Sequence, residues 1–310
     1  MCIRDSIYAK NTTSGQIQFV NSSLISILDN IKTELPKSSI VLKIGNYSID
    51  GTIDLTAGIA TIKGEQEYYT RIISTAQNGE HIISIAPSSG TTHGRFISKL
   101  YLLGNDNCGD GLHIKGLTQY GMIEKVFVDS VGGIGVKLEE ITYGIGLQDI
   151  RTRQCKSGGI YINPGSGTEA IGLYDSGSSV FGIMAEGGRV CIRDSVSEFQ
   201  AIGATAAYYL KNLDVAILDN CFSEQSNEVR CVYAENVNTL IIIGGHFSSG
   251  GHAPVIETNN VKRLIIQGAT IRRHYTDGYH IVIGSGLEEI RLDGCTWQIG
   301  TSEEELPAID

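Results

Sequence analysis

From residue 190 the chain repeats itself about every 25 residues, and a repeat that short leaves few folds open. The copies are Val190-Cys-Ile-Arg-Asp-Ser195, Val215-Ala-Ile-Leu-Asp-Asn220, Leu240-Ile-Ile-Ile-Gly-Gly245, Leu264-Ile-Ile-Gln-Gly-Ala269 and Ile290-Arg-Leu-Asp-Gly-Cys295. In each, apolar and variable positions alternate and then run into Asp or Gly, the pattern of a short strand with one buried face that ends at a turn. A second column lies between them. Tyr209-Leu-Lys-Asn212, Tyr233-Ala-Glu-Asn236 and Glu257-Thr-Asn-Asn260 all end in Asn, and these asparagines are 24 residues apart. Asn tolerates a left-handed bend, and its amide can bond its counterpart in the next layer, so the spacing predicts an asparagine ladder at a corner.

Weaker copies run backwards through Ile171-Gly-Leu-Tyr-Asp-Ser176, Val126-Phe-Val-Asp-Ser130 and Leu100-Tyr-Leu-Leu-Gly-Asn105, with partner strands near residues 112–116, 136–140, 160–163 and 183–186. About eight or nine coils follow, stacked roughly 4.8 Å apart. Strands broken by Gly-Gly or Asn-Asn cannot form the paired amphipathic helices of a helical solenoid. Near the start, Asn21 or Ser22 begins a helical pattern over about residues 22–35, with Leu24, Ile25, Ile27, Leu28, Ile31 and Leu35 mostly three or four apart and Pro36 as its stop. The predicted organisation is a lead-in at 1–20, a β-helix at 21–301 opened by that capping helix, and an acidic tail at 302–310. A helix, an apolar strand, Gly45-x-Tyr47-x-Ile49, another strand and the Ile62-Lys-Gly-Glu65 turn together resemble the opening of pectate-lyase superfamily proteins, phage tailspikes among them. The resemblance implies an all-β, right-handed single-stranded parallel β-helix with a short N-terminal capping helix. It also implies a polysaccharide partner, an extracellular or virion-associated setting, and trimerisation along the long axis as in tailspikes.

Composition removes other classes. A net charge of −10 does not supply the clustered cations that nucleic-acid phosphates require. The longest apolar run, near Leu240 to Ile243, is far short of the roughly 20 residues of a membrane helix. Seven cysteines, odd in number and without a Cys-x-x-Cys pair, read as buried thiols rather than a disulfide or zinc framework. The first residues lack a signal-peptide pattern, and Cys2-Ile-Arg-Asp-Ser6 recurs as Cys191-Ile-Arg-Asp-Ser195 without a partner segment of its own, so the start reads as a scar or a truncation point. No cofactor is expected. Gly104 to Gly111 is rich in oxygen ligands of the kind calcium takes, yet it lacks EF-hand spacing and reads first as a loop.

On such a platform, function resides in columns of exposed side chains. One candidate column is acidic: Asp129, Asp175, Asp194 and Asp219 all stand at strand ends. Neighbouring coils would hold the catalytic candidates Asp175, Asp194 and Asp219 roughly 5 to 10 Å apart, near the spacing of paired-carboxylate glycoside hydrolysis. The same residues also serve as turn caps that bond nearby N–H groups. A second cluster, Arg272, Arg273, His274 and Tyr275 with His246 and His252 one coil earlier, suits an anionic glycan through guanidinium forks, stacking rings and a base beside a uronate carboxylate. Its plainer role is a solvated turn with arginines paired to local acids such as Asp277. The motifs that mark polygalacturonases, classical pectate lyases and alginate epimerases are missing, so no catalytic residue carries over from the superfamily. The expected activity is a polysaccharide depolymerase, hydrolase or lyase, acting on an extended acidic glycan; the rival is a non-catalytic fibre or glycan-binding adhesin.

Overall fold

The computed structural model describes residues 7–10, 17–21, 23–35, 38–56, 59–87, 92–118, 121–141, 146–164, 167–225, 228–274 and 279–299. They form a right-handed parallel β-helix of about ten turns, somewhat more than the eight or nine expected, behind one short helix. That helix is Leu24–Glu34. Ser23 caps it by accepting the Ser26 N–H at 3.4 Å, one or two residues later than the expected start, and Leu24, Ile27, Leu28 and Ile31 face inward over the first coils.

Each coil contributes to three sheets. Sheet A begins with Ser38–Leu42 and Ile59–Gly64 and ends with Glu289–Asp293. Sheet B begins with Gly45–Ile49 and Thr70–Ser74 and ends with Thr296–Ile299. Sheet C runs from Ile53–Asp54 through Ile83–Ile85, Leu112–Lys115, Ile134–Ile141, Gly158–Pro164, Phe181–Glu186 and Ala206–Lys211 to Ile281–Ile283. Alternation sends every second side chain inside. In sheet A the inward column Ile97, Ile123, Leu147, Ala170, Ile192, Leu218, Ile242 and Ile266 is fully in register and buried throughout. The register aligns Val190 with Ala216, not with Val215, because that coil is one residue longer than the repeat suggested.

The corners carry the residues that left-handed backbone demands. Between sheets A and B, from the third coil onward, one position per coil has φ between 47° and 68°, occupied in turn by Lys99, Lys125, Asp149, Gly172, Asp194, Asn220, Gly244, Gly268 and Gly294. At the corner from sheet C to sheet A, Asn212, Asn236 and Asn260 have φ of 53°, 54° and 54°. Asn260 Nδ2 donates to Asn236 Oδ1 at 2.8 Å, Asn236 Nδ2 donates to Asn212 Oδ1 at 3.1 Å, and Asn212 Nδ2 donates to Glu186 at 3.2 Å. The predicted ladder is therefore present. Asn236→Ala is expected to lower stability by about 2 kcal/mol, since it loses both amide bonds and puts a Cβ-bearing residue without local compensation in the left-handed region. Asn236→Gly, which keeps the backbone at ease, should cost about 1 kcal/mol, and urea unfolding of the pair reads the difference.

Candidate functional site

The register disperses the expected acidic column. Asp175 lies in sheet B between Thr152 and Ser197 and points into the core, where it accepts bonds from Thr152 Oγ1 at 2.6 Å, Ser178 Oγ at 2.7 Å and Gln200 Nε2 at 2.9 Å. Asp194 belongs to the left-handed corner column and accepts from Asn220 Nδ2 at 2.7 Å. Asp219 sits in sheet A beside Arg193, 3.5 Å from its guanidinium. Asp129 is covered by Tyr101, Ser130 and Arg153. An apolar-x-apolar triplet followed by Asp occurs in more than one sheet, so similar sequence placed these carboxylates in different columns.

The second expected cluster is also divided. Arg273 faces the core and is buried, aligned with Ser249. Arg272 aligns with Ser248 on the outward side of sheet B, His274 Nε2 lies 3.1 Å from Ser248 Oγ, and His246 stacks on Phe222 with centroids 5.4 Å apart. His252 is exposed in a bend, and Tyr275 lies outside the described residues, as does the tail 302–310. The oxygens of the 104–111 loop do not converge on one point. Asn105 bonds the carbonyls of Ser74 and Ala76 at 3.1 Å, Asp106 pairs with Lys156 at 2.8 Å, and Asp110 accepts the Ile134 N–H at 2.8 Å.

The outward side of sheet C does bring titratable groups together. Its first outward column runs Ser84, His113, Lys137, Tyr161, Met184, Tyr209, Tyr233, Glu257. The neighbouring column includes Lys115, Glu139, Glu186, Lys211 and Glu235. A diagonal bond links the two columns at every second coil: His113 Nε2 to Glu139 at 2.8 Å, Tyr161 OH to Glu186 at 3.3 Å, Tyr209 OH to Glu235 at 2.9 Å. Lys137 Nζ lies 2.8 Å from the other oxygen of Glu139. Tyr209 and Tyr233 stack with centroids 5.3 Å apart, and Arg230, paired with Glu257, lies over Tyr233 at 5.1 Å. Upstream, His81 Nε2 is 3.1 Å from His113 Nδ1, and His81, Asp110 and His113 hold ligating atoms within 4.8 Å of one another, a set that can hold a metal.

Environment tunes these groups. Burial, helped by the Glu186 charge, pushes the Tyr161 phenol up, so it is protonated at neutral pH. Burial works upward on Glu139 too, but the Lys137 and His113 hydrogen bonds outweigh it and hold this carboxyl below its ordinary value. Burial pushes His81 down, against the pull of Asp110. The two described carboxyls that their surroundings leave above the ordinary value, Glu67 and Asp175, both lie away from this face. Four consecutive strands of this face stand in the sequence as Leu112-His-Ile, Val136-Lys-Leu, Ile160-Tyr-Ile and Ile183-Met-Ala, and their middle residues form the column that sequence alone could have shown.

No protein-family model and no curated protein matches the chain. Among solved structures, the A-module of Azotobacter vinelandii mannuronan C-5 epimerase AlgE6 is similar, with 14% identity and a TM-score of 0.58 over 92% of this chain and 91% of that one. The AlgE4 A-module of the same organism has 14% identity and a TM-score of 0.55 over 91% and 93%. ORF18 of Geobacillus virus E2 has 15% identity and a TM-score of 0.54 over 94% of this chain and 67% of that one. At these identities the likeness establishes the shared fold.

Proposed function

We propose that the chain is a polyuronate-modifying enzyme, with an extended acidic glycan lying along sheet C and the chemistry at Lys137 and Tyr161. The observation that carries this reading is the outward column His113, Lys137, Tyr161, in which a cation and a protonated phenol stand on adjacent strands, roughly 4.8 Å apart, on a rigid sheet. Two of the similar folds being mannuronan C-5 epimerase modules supports it. Paired-carboxylate hydrolysis needs one carboxyl raised toward protonation, and among the described residues the two carboxyls raised by their surroundings, Glu67 and Asp175, are elsewhere.

In this reading Lys137 faces the uronate carboxylate, whose negative charge grows as the adjacent C–H bond breaks. Tyr161 accepts that proton while passing its own phenolic proton to Glu186, to which it is already bonded. The electron pair forms a carbon–carbon double bond, the glycosidic C–O bond breaks, and the proton on Glu186 returns through Tyr161 to the departing oxygen. Atoms and charge balance without a further reagent. Further along the same face, the stacked Tyr209 and Tyr233 and the Arg230–Glu257 pair over Tyr233 form the aromatic and polar surface that the next sugars would meet.

Incubation with a panel of polyuronates in D2O tests it. The expected result is an ultraviolet-absorbing unsaturated product, or deuterium entering the abstracted position. Reducing ends without either signal would establish hydrolysis instead. Binding without any change in the polymer would establish the fibre or adhesin.

A further inference from the structure

The geometry points to a divalent transition-metal site at the upstream end of the same face, held by His81 Nε2 and His113 Nδ1. These two atoms are 3.1 Å apart. Imidazole nitrogens bound to one ion at about 2.0–2.1 Å each, in tetrahedral geometry, stand only slightly further apart than that. The two nitrogens thus already stand at nearly the separation that one shared ion requires.

What lies behind each ring makes this more than two adjacent histidines. A metal-bound imidazole needs an acceptor for its other N–H, and carboxylates in that position raise the ligand's basicity and fix its orientation. His113 has one: its Nε2 is 2.8 Å from Glu139 Oε2, and Glu139 is itself held by Lys137. His81 has one too, with Nδ1 3.4 Å from Asp110 Oδ2, while Asp110 Oδ1 is fixed by the Ile134 N–H at 2.8 Å. Without an ion, the Asp110 N–H donates to His81 Nδ1 at 3.0 Å, which places the His81 hydrogen on Nε2, aimed at His113 Nδ1. Binding moves that one hydrogen from Nε2 to Nδ1, toward Asp110 Oδ2. The exchange gives up a backbone bond and gains a charge-assisted one.

Two imidazoles leave coordination positions open, and side-chain exposure of 31% at His81 against 13% at His113 gives the open side to solvent on the outer face. Lys137 occupies the position after His113 in the same column. The ion would stand one coil from the ammonium that faces the substrate carboxylate, so it would take a second oxygen of an acidic glycan. This extension rests on the proposed function, but the metal site itself does not. Imidazole donors with oxygen completing the shell suit zinc, cobalt, nickel or copper rather than calcium.

Titration of the metal-stripped full chain with Co(II), followed by calorimetry and by visible absorption, tests the site. One ion per chain with a d–d band is expected, displaced by zinc. His81→Ala and His113→Ala should each abolish the band, and Asp110→Asn should weaken binding about 10- to 100-fold, with unchanged circular dichroism confirming the fold. Tyr161→Phe should bind the ion as the parent does. An absence of stoichiometric binding, or a band that survives His81→Ala, overturns the site and leaves the glycan reading standing. An ion bound as described with no effect on any polyuronate would sink the glycan reading alone.

Discussion

Raising the pH from about 4 to 7 is expected to weaken the fold by roughly 4 kcal/mol through Asp175 alone, and Asp175→Asn should abolish that slope. Burial pushes this carboxyl from 3.8 to about 7, a rise that its bonds from Thr152, Ser178 and Gln200 reduce but do not cancel. Between those two values the folded chain holds a proton that the unfolded chain has released. Stability from this group is therefore complete below the unfolded value and falls as pH rises toward the folded one. The variant remains neutral at all pH, its oxygen still accepts from Thr152 and Ser178, and the Gln200 amide can turn to meet the new NH2. Urea unfolding at pH 4.5, 6 and 8 should show the variant more stable than the parent at pH 8 and close to it at pH 4.5. Parallel curves would mean that Asp175 stays ionised inside the helix.

Tyr161→Phe should lower turnover on the responsive glycan by about two to four orders of magnitude, the usual worth of a positioned acid or base, while KM changes little. The ring remains, so packing against its neighbours in sheet C persists and only the phenolic oxygen is lost. Lys137→Met should behave differently. It removes a cation that meets the substrate carboxylate before and during proton transfer, so KM should rise together with a fall in kcat. If Tyr161→Phe retained full turnover, the proton-transfer role would have to move to His113 or to another face.

The fold was legible because a coil imposes requirements that few residues meet. Three asparagines 24 residues apart mark a corner, since both the left-handed backbone and the layer-to-layer amide bond select Asn. The helix was legible from its apolar spacing, although its cap is Ser23 rather than Asn21 or Ser22. The site was less so. Asp175, Asp194 and Asp219 follow near-identical apolar triplets, yet one points inward from sheet B, one makes a corner and one faces out from sheet A. Alternation gives the face of a residue within its own strand and says nothing of which sheet the strand joins. A coil that is one residue longer before Ala216 then shifts the apparent column by one place. Arg273 illustrates the converse: a guanidinium next to His274 reads as surface, but strict alternation from Ile271 puts it inside. His113, Lys137 and Tyr161 were hidden because their strands served only as partners to the clearer repeat.

Because each strand pairs only with those one coil above and below, the molecule holds together as a zipper does. Loss of the end coil removes half the support of the next and leaves distant turns undisturbed, so fraying can advance inward while Tyr161 and its neighbours keep their places. A midpoint measured on such a stack describes how far the opening has travelled, and for this chain a single melting temperature is a position along an axis as much as a free energy.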